Sequence, residues 1–309
     1  MKAKRKVITA KIESVYGTDP APTVSANAME VHNFSAVPIA PQYVERDPAL
    51  PHFGTGQQLI AGQTMSMQFD VQLAGAGGVD TVPAFAALLR ACAMAETVTP
   101  TTGPVDYEPV TSGEESITIW FYWDGQVRKM NGARGTVELS FNAGGVPMAR
   151  FTFVGLYGSI ADITFPVAPT LTGWQKPLVC NKANTSFSLH GYAAYLRALS
   201  INVGNVMQYV NLPNSESIRF IDRKVRGSVT IDLPTIAAKD FFTIVRNETL
   251  GAIALTHGTA AGNKFIVALG QVQLTNPREG EADGTPTLTM DLGIQPTLAG
   301  NDEFVFSTH

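Results

Sequence analysis

Polar and apolar residues alternate along much of the chain with a period of two. In Gln63–Val71 (QTMSMQFDV), Thr64, Ser66, Gln68 and Asp70 fall on one side and Met65, Met67, Phe69 and Val71 on the other. Gly135–Phe141 (GTVELSF) sets Thr136, Glu138 and Ser140 against Val137, Leu139 and Phe141, and Arg150–Val154 (RFTFV) follows the same rule. Successive side chains of a strand point to opposite faces, so this pattern predicts strands with one dry and one wet face. Two stretches break the rule. Pro83–Met94 (PAFAALLRACAM) spaces Phe85, Leu88, Leu89 and Cys92 as the stripe of a helix, with Asp80 or Thr81 as its N-cap. Ile236–Asn247 (IAAKDFFTIVRN) does the same with Phe241, Phe242, Ile244 and Val245, capped by Thr235. The fold class expected is α+β, mainly β.

The pieces recur in order. Arg226–Leu233 (RGSVTIDL) matches the first amphipathic strand, and Gly270–Thr275 (GQVQLT) stands beside Gly135–Ser140 (GTVELS). Thr287–Leu292 (TLTMDL) takes the place of RFTFV, and Lys264-Phe265 that of Lys129-Met130. A strand, a helix and then three or four strands, twice over, reads as a tandem duplication. The periodicity fails in the Pro- and Gly-rich run Phe165–Lys182, which predicts a first domain over 1–165, a linker over 166–182 and a second domain over 183–309. Pro38–Gly62 reads as one long irregular loop. Its Tyr43, Leu50, Phe53 and Leu59 suggest an arm that packs on something, a neighbouring subunit included.

Composition narrows the function classes. The 309 residues carry 26 Asp and Glu against 22 Lys and Arg, for a net charge of -4, whereas a phosphate-gripping protein is usually basic. The basic cluster at Lys2, Lys4, Arg5 and Lys6 reads as a solvated arm, with contact to nucleic acid or an acidic partner as the alternative. Two cysteines, Cys92 and Cys180, make no disulfide scaffold. No signal peptide and no membrane span of ~18 apolar residues is expected. His32, His52, His190, His257 and His309 show no metal-ligand spacing, and neither a Walker loop nor a nucleophile elbow is present. The Gly-rich Ala74–Asp80 (AGAGGVD) lacks a lysine and reads as a turn. Adjacent Glu114 and Glu115 point apart, unlike a hydrolase pair. The reading is no catalytic residue, no cofactor and no metal.

The segment Trp120–Gly135 (WFYWDGQVRKMNGARG) gathers aromatic and basic residues around Asp124-Gly125, a strong hairpin signal. Ile117, Ile119 and Phe121 should face one way and Thr118, Trp120 and Tyr122 the other. Its counterpart in the second half, Ala252–Gly262, keeps the hairpin position without the aromatics, which points to architecture rather than to nucleic-acid stacking. The wet faces carry short polar groups, Gln68, Asp70, Glu138, Asp232, Gln271, Gln273 and Asp291, with Arg150 as an exception among few long cations. Such a face suits an ordinary solvent-facing sheet or, if sheets join edge to edge in a ring, the wall of a water-filled channel.

Several separated motifs resemble the tail tube (major tail) proteins of long non-contractile phage tails. They are Lys11–Pro20 (KIESVYGTDP), Ala28–Val31, Tyr107–Val110, Ser116–Gly125 and Gly132–Gly158, so the resemblance spans about residues 7–158. It implies a tail-tube-type β-sandwich or half-barrel with a flanking helix, which the repeat extends to two tandem domains. The commonest family pattern is one such domain per chain and six chains per ring, so two domains suggest three chains per ring. It implies a siphophage structural protein without enzymatic activity, assembled in the host cytoplasm into the virion tail. Rings of this protein, trimeric and pseudo-hexameric, would stack into a hollow tube around the tape measure protein and genomic DNA, contacting tail terminator and tail-tip proteins and no membrane. The seven wet-face residues would then face the lumen, and Tyr43, Arg46, Leu50, Phe53 and Leu59 would join successive rings. A tail-tip or receptor-binding component is the alternative.

Overall fold

The computed structural model describes all residues except 1, 3, 47, 48, 50, 102 and 167. The first half contains β1 (Lys6–Ile12), β2 (Ala28–Met29), β3 (His32–Glu45), β4 (Gln58–Gln72), α1 (Ala86–Arg90), β5 (Met94–Val98), β6 (Val105–Pro109), β7 (Ile117–Trp123), β8 (Gln126–Asn142) and β9 (Met148–Asp162). The second contains β10 (Thr185–Leu189), β11 (Leu196–Asn202), β12 (Asn205–Leu212), β13 (Ser215–Arg223), β14 (Arg226–Asp232), α2 (Phe241–Arg246), β15 (Gly251–His257), β16 (Phe265–Ala282), β17 (Thr285–Gln295) and β18 (Val305–Thr308). The protein is mainly β, and the alternating segments are strands.

Antiparallel pairing joins the first half in the order β3-β4-β9-β8-β7-β1. The second half pairs as β11-β14-β17-β16-β15-β10. Element for element the two orders are the same, with each helix following the corresponding strand, β4 or β14. The outer part of the β3–β4 hairpin corresponds to the separate hairpin β12–β13. β5 and β6 occur only in the first half and β18 only in the second. These additions tie the halves together, because β18 pairs with both β16 and β6.

A second tie is made by β8. Its first part has β7 on one edge, and farther along Glu138–Asn142 takes β11 on that same edge while β9 holds the other. The sheet therefore runs unbroken from β3 through β4, β9, β8, β11, β14 and β17 to β16. The apolar faces of both halves form one core. Phe69, Phe151 and Phe153 cluster with centroids 5.9–6.0 Å apart, and Phe141 meets Phe265 across the halves at 6.3 Å. Buried Asn205 donates to the carbonyls of Cys92 (2.7 Å) and Gly135 (3.0 Å), so this polar group within the joint is satisfied. The Gly-rich Ala74–Asp80 packs here too: a Cβ on Gly75 would lie 2.4 Å from the Asn263 Cα, so close backbone approach calls for glycine.

Three local expectations need correction. Each helix is shorter than the span its apolar spacing suggested, Ala86–Arg90 within 83–94 and Phe241–Arg246 within 236–247. Around α1 the chain makes tight turns, Ala86 N–H to Pro83 O and Cys92 N–H to Leu89 O, both 2.9 Å, and neither Asp80 nor Thr81 caps it. Thr235 opens a separate turn, and α2 begins at Asp240, whose carboxylate accepts from Thr243 N–H (2.9 Å) and Thr243 Oγ1 (2.6 Å). The stretch Pro38–Gly62 is mostly a strand arm, extended to Glu45 and again from Gln58. Register shifts at Val37/Ala40 and Gln42/Tyr43 hide its period of two. Pro38 and Pro41 sit in β3, which among the described residues pairs only with β4, and there the missing N–H is tolerated.

Candidate functional site

Directly opposed residues of paired strands share a face. One row can be followed strand to strand: Asp70, Arg150, Glu138, Asn202, Arg226, Gly293, Gln273. A neighbouring row runs Ser140, Ser200, Ser228, Asp291, Thr275. Gln68, Asp232 and Gln271 lie an even number of residues along the same strands. All seven wet-face residues thus belong to one face of one continuous sheet. Val71, Leu139, Ile201, Val229, Met290 and Leu274 on the other face are buried.

The charge on this face differs from the expectation in two respects. Asp70 is only 4% exposed. It accepts from Arg150 Nε (3.0 Å) and Asn33 Nδ2 (2.8 Å). Burial works to raise its pKa, but these bonds outweigh it and hold the carboxyl below its ordinary value. It is a covered structural group, not an open wall position. The face is also richer in arginine than the alternation indicated. Asp232 pairs with Arg197, which also reaches Asp283 at 2.9 Å. Asp291 accepts from Arg278 (2.6 Å) and Asn276 (2.9 Å), and these bonds, Arg278 first, depress its pKa. Glu138 accepts from Ser200 Oγ at 2.9 Å. Register shifts at Leu196/Ala198 and Thr275/Arg278 bring Arg197 and Arg278 out of phase and onto this face.

Tyr43 (54% exposed), Leu59 (47%) and the fully exposed Phe53 lie on the arm or its connection, beside exposed Arg46. Leu50 lies outside the described residues. The base of the arm runs along β12–β13, where Asn211 Nδ2 donates to Ala61 O at 3.0 Å.

The aromatic segment is a hairpin with a two-residue turn, Asp124 (φ 34°) and Gly125 (φ 101°). Ile117, Ile119 and Phe121 are buried as expected, but so are Thr118 and Tyr122 on the opposite face. The N-terminal segment covers them. Buried Glu13 accepts four hydrogen bonds, from Gly17 N–H (2.7 Å), Ser116 Oγ (2.6 Å), Thr118 Oγ1 (2.5 Å) and Gly132 N–H (2.7 Å). Asp19 takes Trp120 Nε1 and Lys129 Nζ, each at 3.2 Å, and Lys129 lies 3.6 Å from the Trp120 ring centroid. The aromatic and basic groups thus partner one another and the chain's own start. Nothing in the alternation marked Glu13, because its four donors are scattered from Gly17 to Gly132.

His257, 2% exposed, is bonded to Thr185 Oγ1 (2.9 Å) and Leu178 O (3.2 Å), with Cys180 Sγ 3.8 Å away. Burial lowers the His257 pKa and raises that of the Cys180 thiol, the reverse of an activated pair. Glu115 is engaged by Arg90 through two 2.6 Å bonds. Among the described residues no group of three or more His, Cys, Asp or Glu could hold a metal, and no helix is long and apolar enough to cross a membrane.

The model of one family, described as phage tail tube protein, matches residues 3–294, and so runs through both halves. No curated protein matches the chain.

Proposed function

The chain belongs to the phage tail tube protein family, and we propose that it forms the rings of a siphophage tail tube, three chains to a ring. A structural tail-tube subunit and virion tail component is what the family gives; ring number and lumen are our reading. The observation that carries it is the joint between β8 and β11. There the first repeat passes its sheet to the second through open strand edges. The edges that correspond to these are free among the described residues. β15 leaves β16 at Val272, so the edge opposite β17 is open beyond it, and β3 pairs only with β4. β-Edges of this kind pair with another chain unless they are blunted, and the prolines that blunt β3, Pro38 and Pro41, lie beyond its first six residues, His32–Val37. Repeating the internal joint between chains would close six similar units from three chains into one ring, each half, 1–165 and 183–309, acting as a tube domain.

In that ring the polar face lines the lumen, with Gln68, Glu138, Asp232, Gln271, Gln273 and Asp291 on the wall and Asp70 beneath Arg150. Because the carboxylates and arginines of the wall satisfy one another, few cations remain free to hold DNA phosphates. DNA would pass during ejection without being gripped. The tape measure protein would occupy the same space before ejection. The arm, with Tyr43, Arg46, Leu50, Phe53 and Leu59, would reach the next ring, and terminator and tail-tip proteins would cap the ends. Assembly would take place in the host cytoplasm.

The test is to measure mass in dilute solution and image the protein by electron microscopy at high concentration. Hollow tubes appearing with concentration are expected. Compact particles that never polymerise, even with virion partners added, would instead favour a tail-tip component.

A further inference from the structure

The internal repeat identifies a surface that one chain leaves incomplete. In the second half, the corner where β10 meets β11 is walled by the end of β8. Phe141 and Ala143 line a cavity of about 370 Å³ there with Cys180 and Tyr195. The backbone beyond β8 is bonded into this corner: Ala143 N–H donates to Arg197 O, Gly144 N–H to Cys180 O, and Cys180 N–H to Gly145 O, each at 2.8 Å. In the first half, the equivalent corner lies between β1 and β3. A cavity of about 440 Å³ opens there, lined by Lys4, Lys6, Ile8, Val31, Asn33 and Phe34. Besides β1, β2 and the start of β3, Pro169 and Leu171 border it, and among the described residues no strand end stands where β8 stands in the second half.

The segment that would do so by equivalence is the end of β16, since Gly270–Thr275 repeats Gly135–Ser140. In this chain β16 is separated from β3 by the whole run β4, β9, β8, β11, β14 and β17. Only a second copy can bring the two together. The β16–β17 hairpin also runs on past the point where β8 turns into β9, closing at Asp283-Gly284 (φ 53° and 72°). This extension carries Glu279, Glu281 and Asp283 against Arg278, and Arg278 is already engaged by Asp291. Glu279 and Glu281 are exposed and form no ion pair among the described residues. The opposing cavity carries Lys4 and Lys6 against a single acid, Glu30.

We infer that the acidic tip of the β16–β17 hairpin of one copy closes the cavity between β1 and β3 of the next, setting Glu279 and Glu281 against Lys4 and Lys6. The inference rests on the ring reading above and specifies the contact that would hold the ring. It gives the basic start of the chain a partner, which is an acidic hairpin rather than nucleic acid. It also fixes polarity, because each copy offers one hairpin and one cavity, a head-to-tail contact that forms a ring when its rotation closes.

The test is charge exchange in the full chain. Reversing either side, by Lys4→Glu with Lys6→Glu or by Glu279→Lys with Glu281→Lys, is expected to raise the concentration needed for assembly about tenfold through like-charge contact. Combining all four changes should restore it. Unchanged circular dichroism of the dilute protein shows that the exposed substitutions leave the fold intact. As an independent measurement, Lys4→Cys with Glu279→Cys should join chains by disulfide in assembled material, in a ladder that ends at three. If the wild type forms tubes while both reversals assemble normally and no cross-link forms, this contact is wrong and the tube reading stands. If the wild type forms neither rings nor tubes, both fall together.

Discussion

The two halves share a strand order but secure their hairpins by different means. In the first, the outer side of β7–β8 is held by a buried carboxylate, Glu13, with four donors around it. In the second, β15–β16 is anchored at its turn by an imidazole, His257, bonded to Leu178 O and Thr185 Oγ1. The repeated part is the backbone pairing that builds the sheet. The side chains that seal each unit against its flanking segment differ, so the halves should respond differently to substitution and to pH.

The largest effect belongs to Glu13. Glu13→Ala leaves two backbone N–H groups and two hydroxyls without their acceptor in a buried site, and should cost about 3–5 kcal/mol in denaturant unfolding. Glu13→Gln, which keeps an acceptor oxygen, should cost less. A loss below about 1 kcal/mol for the alanine variant would contradict the anchoring role. Next comes Asp70→Ala, which strands Asn33 and the half-exposed Arg150; about 1–3 kcal/mol is expected by the same measurement.

The pH response separates the halves further. Burial lowers the pKa of His257, and of His190, from the ordinary 6.5. A group with a depressed folded-state pKa contributes stability above its unfolded value and loses it as pH falls toward the folded value. The second half should therefore loosen as pH drops below about 6.5, seen as faster hydrogen exchange at β10 and β15. Asp70, with its pKa held below 3.8, should keep its contribution until the pH falls past that value. His257→Gln should flatten the first transition; equal loosening of both halves near neutrality would break the comparison. The smallest effect is expected for Arg278→Ala. Arg278 is well exposed and Asp291 partly so, and such pairs add little, so monomer stability should not change measurably.

The sequence made the regular parts of this comparison legible. Unbroken alternation located the dry faces of β4, β8, β14 and β17, and Asp124-Gly125 located a two-residue hairpin turn. Both signals are local, a side-chain period and a turn that needs positive φ. What escaped notice depends on register or on distance along the chain. Arg197 and Arg278 reach the polar face through bulges, which reverse the parity that alternation relies on. The arm strands were obscured in the same way, with prolines that an edge tolerates. Glu13 gathers three of its four donors from residues more than a hundred positions away, a cluster that only the folded topology assembles. Asp70 could be placed on the correct face but not recognised as covered, because Asn33 and Arg150 come from other segments.

The central claim is that the joint inside one chain is repeated between chains, with the polar face turned inward. A cryo-electron microscopy reconstruction of assembled tubes, resolved to the strand level, tests it most directly. The account predicts three chains and six similar units per ring, with the β16 edge of one chain paired to the β3 edge of the next. Glu138 and Asp291 would face the lumen. A ring of six chains joined through other edges, or a lumen lined by the opposite side of the molecule, would contradict it.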